Sequence, residues 1–306
     1  MTRMISGVLP IAHTPFTEDD SLDPDSLERQ LNWAYQQDIN GCCTGMVSEL
    51  LRLSGEERRE LTRLLVEFTA GRGVVVAGVG AESTRQALQL AEHAERVGCQ
   101  AVMAIPPIST ALPASQLLEY FDCLARGVDL PLIVQDASSY VGQQIPLDVC
   151  RALLDRYGAE KILFKPESSP VGPCITELHV ATEGRAKVFD GSGGMYLIEC
   201  FRRGLSGTMP GMEFLAAVVK IWQALRAGDE RTAYRIYLPL CALVALQLQA
   251  GLDGFLAIEK YLLHQRGLFT TPRRRQPHFW DLDTATREEV DRLMRLLEAA
   301  VAQETD

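Results

Sequence analysis

The sequence predicts an α/β protein, a (β/α)8 TIM barrel followed by a C-terminal helical extension. Short apolar runs alternate with amphipathic segments. The runs recur about every thirty residues, which is the length of one βα unit. Eight runs are present, and eight parallel strands close a barrel. The predicted strands are 7–13, 41–47, 74–78, 101–105, 132–135, 162–165, 186–189 and 205–209.

The segments between these runs have helical periodicity. Two of them begin with capping signals: Ser54 is followed three residues later by Glu57, and Ser83 by Gln86. An open doubly wound sheet is the main alternative, but no GxGxxG follows the first run and no Walker motif is present. The predicted helices are 25–37, 55–70, 83–97, 115–126, 147–157, 174–183 and 194–203.

After the eighth predicted strand the chain is entirely helical, with candidate helices at 213–227, 230–250, 252–266 and 286–303. A barrel needs only one helix at this point, so the others are expected to cap it or to form an oligomer interface. The predicted domains are therefore a barrel with the active site at 1–225 and a helical region packed on it at 226–306.

Composition and charge exclude several classes of function. The formal net charge of −10 argues against a nucleic-acid or anionic-membrane surface. The 8 cysteines include no CxxC pair and lie mostly in apolar segments, so they are expected to be core residues of a protein in a reducing compartment. The 5 histidines show no HxxxH spacing. No metal site and no organic cofactor are predicted.

The sequence shows no pattern typical of a membrane protein. The first residues lack the apolar core of a signal peptide, and no apolar stretch is long enough to span a bilayer. The sequence therefore predicts a soluble cytoplasmic protein.

Lys165 is the strongest candidate for catalysis. It ends the apolar run 162–165, where a buried strand is predicted, and Pro166 follows at once. Burial disfavours the charged form of an amine, and a neutral amine attacks carbonyl groups to form Schiff bases. The alternative is a lysine that simply reaches solvent at a strand end. Lys165 is the only lysine at the carboxyl ends of the predicted strands, where catalytic groups of such barrels lie.

Four segments resemble, in order and spacing, the dihydrodipicolinate synthase / N-acetylneuraminate lyase group of class I aldolases. Segment 11–16 (IAHTPF) is similar to the family's opening strand, and 45–57 (GMVSELLRLSGEE) to its Gly-Thr-Thr-Gly-Glu region. Segment 132–142 (LIVQDASSYVG) lies where the family has Tyr-Asn-x-Pro-x-x-x-Gly, and 164–167 (FKPE) matches its Schiff-base lysine strand. The resemblance covers about residues 5–212.

The departures from the family pattern concern its proton relay. The family's Thr-Thr pair is Met46-Val47 here, and neither side chain can carry a proton. The acid/base tyrosine at the end of strand five is replaced by Gln135. The tyrosine lent by a neighbouring subunit aligns near Ser109, and the carboxylate-binding arginine falls near Tyr140. The chain is therefore not expected to be an authentic dihydrodipicolinate synthase.

Two carboxylates are candidates to replace the lost relay. Glu49 follows the second predicted strand, and Glu167 lies two residues after Lys165, which puts it on the same side of an extended chain. Glu49 could instead pair near the following helix, Glu167 could be a solvated strand-end group, and His13 could be a core histidine. The predicted catalytic residues are Lys165, Gln135, Glu49 and Glu167. The predicted substrate-binding residues are Met46, Val47, Ser48, Ser109, Asp136, Ser138, Tyr140, Gly191, Gly193 and Met209.

Three functions remain open at this stage. The first is a Schiff-base lyase or aldolase that makes or breaks a carbon–carbon bond in a 2-keto acid through Lys165. The second is a dehydratase of 2-keto-3-deoxy sugar acids, which would use the same lysine. The third is a barrel that binds a keto acid without turning it over. The resemblance implies a homodimer or homotetramer, with a small 2-keto acid as the other partner.

Overall fold

A computed structural model describes residues 4–303 of the 306-residue chain. The eight strands are β1 (Gly7–Val8), β2 (Gly41–Cys43), β3 (Val74–Gly78), β4 (Ala101–Ala104), β5 (Leu132–Asp136), β6 (Ile162–Pro166), β7 (Phe189–Asp190) and β8 (Gly207–Thr208). All pairings between them are parallel.

The strands close into a ring. Strands β2 to β6 form one sheet in chain order, and β1, β8 and β7 form a second. Parallel bridges join the two sheets at both edges, between Ile11 and Cys43 and between Phe164 and Val188. Every strand therefore has two neighbours, and the predicted (β/α)8 barrel is confirmed.

Helices follow the strands around the outside. They are α1 (Pro24–Tyr35), α2 (Gly55–Thr69), α3 (Thr84–Val97), α4 (Ala114–Gly127), α5 (Leu147–Tyr157), α6 (Val171–Ala181), α7 (Leu197–Arg202) and α8 (Leu215–Ala227). The Ser54 hydroxyl accepts from the Glu57 N–H while the Glu57 carboxylate accepts from the Ser54 N–H. Ser83 caps α3 by accepting from the Gln86 N–H. Both predicted caps are confirmed.

Three further helices, α9 (Glu230–Leu248), α10 (Gly251–Gln265) and α11 (Thr284–Ala302), form the C-terminal extension. Helix α9 packs against α8, α10 and α11, and α10 contacts the 3₁₀ turn Met46–Ser48 that follows β2. The helical extension thus reaches the barrel mouth. The predicted domain boundary at residue 225 stays a prediction. Residues 1–3 of the first predicted domain and 304–306 of the second lie outside the described part of the chain.

Several strands are shorter than predicted. The second run was predicted to be extended over 41–47, but β2 ends at Cys43 and the chain turns into the 3₁₀ helix Met46–Ser48. Glu49 follows this turn and has a left-handed backbone conformation, with a φ of 58°. Apolar composition alone did not distinguish a buried turn from a buried strand.

A small apolar core fills the barrel lumen below the mouth. Side chains of alternate strand residues point inward, as the strand period of two requires. The lumen core consists of Ile5, Leu9, Ile11, Cys43, Val74, Val76, Ala101, Met103, Ile133, Leu163, Phe189 and Met209. A larger core lies between the strands and the helices.

Two further expectations concern the cysteines and the membrane. All eight cysteines are free, and six of them are buried, which agrees with their predicted place in the core. Of the helices within residues 4–303, none combines the length and apolar character needed to cross a bilayer.

Candidate active site

Strands β5 and β6 and the residue that follows β6 carry three polar side chains into the barrel mouth. Leu163 points into the lumen, so Lys165 and then Glu167 continue the inward series along β6. Gln135 stands opposite Lys165 in the parallel register of β5 and β6. All three residues are buried: Gln135 is 3% exposed, Lys165 4% and Glu167 6%. Strand alternation thus gathers them on one wall.

The lysine and the two neighbouring side chains are connected by short polar contacts. Lys165 Nζ lies 3.1 Å from Glu167 Oε2, and Gln135 Nε2 donates to the same oxygen at 2.6 Å. Burial raises the pKa of Glu167, an effect opposed by the Lys165 charge and the Gln135 hydrogen bond and reinforced by buried Asp190. A carboxylate with a raised pKa is suited to take a proton from a neighbouring ammonium group.

Gly191 makes room for this pair. A Cβ atom at this position would come within 2.5 Å of Lys165 Cε and closer still to Glu167 Oε1. The glycine after the seventh strand is therefore required by side-chain packing around the lysine.

The lysine faces a partly open cavity with a free space of about 40 Å³, enough for a few water molecules. A neighbouring groove of about 450 Å³ shares Tyr140, Glu167 and Phe255 with it and opens to solvent. The cavity is lined by Ile11, Met46, Val47, Tyr140, Lys165, Glu167, Gly191, Gly193, Met209, Gly211, Glu213, Leu252, Phe255 and Glu259.

Eight of the residues predicted for the site line this cavity: Met46, Val47, Tyr140, Lys165, Glu167, Gly191, Gly193 and Met209. Gln135 does not line the cavity itself, but it donates a hydrogen bond to Glu167, which does. Tyr140 packs edge-on against Phe255, with ring centroids 5.9 Å apart, and burial raises the pKa of its phenol. The sequence analysis thus located one wall of the cavity.

Besides Gln135, five predicted residues lie outside the cavity lining. Asp136 points away from the lumen, as its place one residue after Gln135 requires, and accepts from the N–H groups of Ser138 and Ile145. Ser109 is exposed, and its N–H donates to Glu82. Ser138 lies in the turn that follows β5, next to Asp136. The structure therefore brings none of the side chains of Asp136, Ser109 and Ser138 to Lys165.

Ser48 and Glu49 are held by local structural contacts. The Ser48 hydroxyl donates to Ala12 O at 2.5 Å and accepts from the Gly45 N–H. Glu49 Oε1 lies 2.9 Å from the ammonium of fully buried Lys260, and Oε2 accepts from the Arg275 N–H at 2.8 Å. Glu49 therefore pairs within the protein, the alternative considered for it above, although with the C-terminal extension instead of the following helix.

A second part of the cavity lining was missed by the sequence analysis. It carries Glu213, which follows β8, and Glu259, from α10. His13 Nε2 lies 2.9 Å from Glu259 Oε2 and 4.0 Å from Glu213 Oε2, and Gln247 donates to Glu213 Oε1 at 3.0 Å. A signal was present: Leu252, Phe255 and Glu259 share one helical face, where an acid among apolar residues is unusual.

These three groups are fully buried, and burial shifts the pKa of each. Burial raises the pKa of Glu213 to about 7, with the Glu259 charge adding to it, and raises that of Glu259 well above its usual range. Burial lowers the pKa of His13 to about 4. Their ligand atoms lie within 4.8 Å of one another, a spacing that could hold a cation. The sequence predicted no metal because this group assembles from three distant segments.

Comparison with known proteins covers nearly the whole chain. Residues 4–300 match the sequence model of the Dihydrodipicolinate synthetase family. The chain is 26% identical over 304 residues to L-2-keto-3-deoxyarabonate dehydratase of Azospirillum brasilense, covering 96% of this chain and 95% of that protein. It is 28% identical over 249 residues to 4-hydroxy-tetrahydrodipicolinate synthase of Methanosarcina barkeri, covering 79% and 82%.

Other matches are partial. Three archaeal 4-hydroxy-tetrahydrodipicolinate synthases, from Methanothermobacter thermautotrophicus, Methanosarcina acetivorans and Methanosarcina mazei, are 32–33% identical, but the matched region spans only 50–66% of their length.

Solved structures agree with the fold. Dihydrodipicolinate synthase of Rhodopseudomonas palustris superposes with a TM-score of 0.86 at 26% identity, covering 95% of this chain and 97% of that one. The 4-hydroxy-tetrahydrodipicolinate synthase of Methylacidiphilum fumariolicum gives 0.87 at 22% identity, covering 98% of both chains. With the family match across residues 4–300, the chain belongs to the dihydrodipicolinate synthetase family.

Proposed function

We propose that this protein is a Schiff-base lyase that acts on a 2-keto acid through Lys165. The observation that carries the proposal is the buried Lys165–Glu167 pair in the cavity at the barrel mouth. An amine must be neutral to attack a carbonyl, and the Glu167 carboxylate is within hydrogen-bond distance of the lysine nitrogen, where it can accept the proton. Gln135 orients the carboxylate toward the lysine.

The neutral amine then attacks the ketone carbon, and loss of water gives a protonated imine. This iminium withdraws electrons from the neighbouring carbon, so that a carbon–carbon bond or a carbon–oxygen bond can break beside it. Glu167 is placed to return its proton to the departing oxygen of the carbinolamine, since it lies 3.1 Å from the lysine nitrogen.

The cavity lining also supports an activity other than authentic dihydrodipicolinate synthesis. Met46 and Val47 contribute apolar side chains where the resembled family has its threonine pair, and Tyr140 stands near the position of its arginine. Among the described residues, no arginine lines this cavity and Lys165 is its only lysine. A second substrate carboxylate would therefore lack its usual partner.

A dehydratase is the second candidate. The relative named L-2-keto-3-deoxyarabonate dehydratase aligns over 96% of this chain, a longer match than the other curated relatives described above. If this candidate holds, incubation with L-2-keto-3-deoxyarabonate will give a semialdehyde and no pyruvate, which NMR of the product mixture distinguishes. Pyruvate as the product would instead establish carbon–carbon cleavage.

Borohydride trapping tests the Schiff base. We expect incubation with pyruvate and longer 2-keto acids, followed by borohydride, to give a stable adduct that peptide mass spectrometry maps to Lys165. Lys165→Ala should abolish it. Lys187→Met is a matched control, because Lys187 pairs with Glu160 at the surface. A folded protein that forms no adduct with any of these acids would favour keto-acid binding without catalysis.

A further inference from the structure

A second acid–base group lines the cavity, on the wall formed by the segment after β8 and by helix α10. Glu213 and Glu259 both line the cavity that Lys165 lines. Gly211 leaves space for them, since a Cβ atom there would collide with Glu213 Oε2 and lie 3.0 Å from Glu259 Oε1. On each wall a glycine thus leaves space for a buried carboxylate: Gly191 for Glu167 and Gly211 for Glu213.

The charges of this group require at least one shared proton. Glu213, Glu259 and His13 have ligand atoms within 4.8 Å of one another, and their side chains are at most 2% exposed. Two carboxylates so close together and so deeply buried cannot both remain ionised without a cation. The Lys260 ammonium already pairs with Glu49, and the Arg266 guanidinium donates to the backbone oxygen of Glu213 and not to its carboxylate. A proton must therefore reside on this group.

Glu213 lines the cavity and has one carboxylate oxygen without a hydrogen-bond partner among the described residues. Its Oε1 accepts from Gln247, whereas Oε2 has no hydrogen-bond partner among the described residues and stands 4.0 Å from His13. Glu259 Oε2 is engaged by His13 Nε2 at 2.9 Å. Glu167 is held against the lysine nitrogen by Lys165 and Gln135. The two walls are thus equipped for different proton transfers.

We infer that Glu213 is the catalytic residue that moves the proton on carbon 3 of the bound keto acid, an inference that rests on the proposed Schiff base at Lys165. Once the iminium has formed, the Glu213 carboxylate takes a proton from carbon 3. The carbon–hydrogen electron pair forms the C2=C3 double bond, and the iminium π pair returns to nitrogen. The product is a neutral enamine and a protonated Glu213.

The same proton can complete an elimination. With a hydroxyl on carbon 4, the enamine nitrogen pushes its electron pair back, the C4–O bond breaks, and the oxygen leaves as water with the proton from Glu213. A conjugated iminium and a carboxylate remain, so the residue returns to its starting state without an external acid or base. With pyruvate, which has no such hydroxyl, only exchange of the carbon 3 hydrogens with solvent occurs.

The pH dependence of this exchange has a defined sign. Because the carboxylate is the active form and burial raises the pKa of Glu213 to about 7, exchange should increase as pH rises through that value. The charged and titratable groups around Glu213 are His13 from the segment after β1, Glu259 from α10 and Arg266 after α10. Lys165, Glu167 and Tyr140 line the same cavity, and the charges of Lys260 and Glu49 act on Glu259.

Deuterium exchange into pyruvate tests the inference. We expect the wild-type protein to exchange the pyruvate methyl hydrogens in D₂O, with a rate that rises through a midpoint near neutral pH. Glu213→Gln should lose about 10²–10⁴-fold in this rate, the usual contribution of a general base. It should still give the borohydride adduct on Lys165. Glu177→Gln is the matched control, since Glu177 is exposed and outside the cavity lining.

The outcomes separate the two proposals. No adduct in the wild type would overturn the Schiff base itself. An adduct without exchange in the wild type, or exchange that survives Glu213→Gln, would overturn the role of Glu213 alone. Exchange that a chelator removes and Mn²⁺ restores would assign the His13, Glu213 and Glu259 group to a cation and overturn the proposal. A Glu213→Gln protein with lost exchange and a retained adduct would support it.

Discussion

Replacing Gly191 with alanine is expected to reduce adduct formation at Lys165 by about 10²-fold, a loss typical of reacting groups displaced by about 1 Å. The new Cβ would come within 2.5 Å of Lys165 Cε and collide with Glu167 Oε1. Both are ends of flexible side chains, so these two groups must move while the backbone stays in place. The substitution therefore acts on the catalytic pair first.

The fold should largely survive this change, with a cost of about 1–3 kcal/mol, as is usual for an overpacked core. The rate of borohydride-trapped adduct formation with pyruvate measures the effect, and circular dichroism checks the fold. Gly55→Ala serves as the control, because its Cβ would meet only Arg59 Nη1, at 3.6 Å. A Gly191→Ala protein with a wild-type trapping rate would show that the close approach has no functional role.

The architecture could be predicted because local patterns and fold agree. The apolar runs that alternate with capped amphipathic segments correspond to the strands and helices of the closed ring. The lengths of the strands were less predictable. Residues 44–47 are as apolar as a strand, but their packing against α10 stabilises a turn, and that contact comes from a segment about two hundred residues away.

One wall of the candidate site was predictable for the same reason. Alternation along β6 places Lys165 and Glu167 on the side of Leu163, and register places Gln135 beside them. The same rule, applied strictly, would have turned Asp136 outward, where the structure has it. A position at a strand end is therefore not enough to predict a site residue, because the side chain must also point into the barrel.

The other wall depends on tertiary contacts that no local pattern encodes. Glu213, Glu259 and His13 come from three segments and meet only when α10 packs over the barrel mouth. Glu49 was the reverse case. Its position after β2 suggested a catalytic role, but α10 packs against the turn after β2 and supplies Lys260 as the ion-pair partner of Glu49. Ionisable residues on the apolar faces of C-terminal helices were the signal that links both cases.

The Glu49–Lys260 pair provides the largest expected effect on stability. Both side chains are fully buried, and the Lys260 ammonium also donates to Thr14 O and to Arg273 O and lies 4.6 Å from the centre of the Phe16 ring. Lys260→Met should destabilise the protein by about 3–5 kcal/mol, because it leaves the Glu49 carboxylate buried without its counter-charge. A fall of roughly 5–8 °C in the thermal unfolding midpoint follows for a chain of this length.

The double variant Glu49→Gln/Lys260→Met distinguishes loss of the charge pair from loss of packing. A neutral amide at 49 still offers an oxygen to the Arg275 N–H, and no uncompensated charge remains. We therefore expect the double variant to unfold at a clearly higher temperature than Lys260→Met, at one fixed protein concentration. Lys220→Met, at an exposed lysine, should change little. Equal midpoints for the single and double variants would mean that Lys260 acts through its packing and not as the counter-ion of Glu49, and the helical extension would then be held on the barrel by apolar contacts.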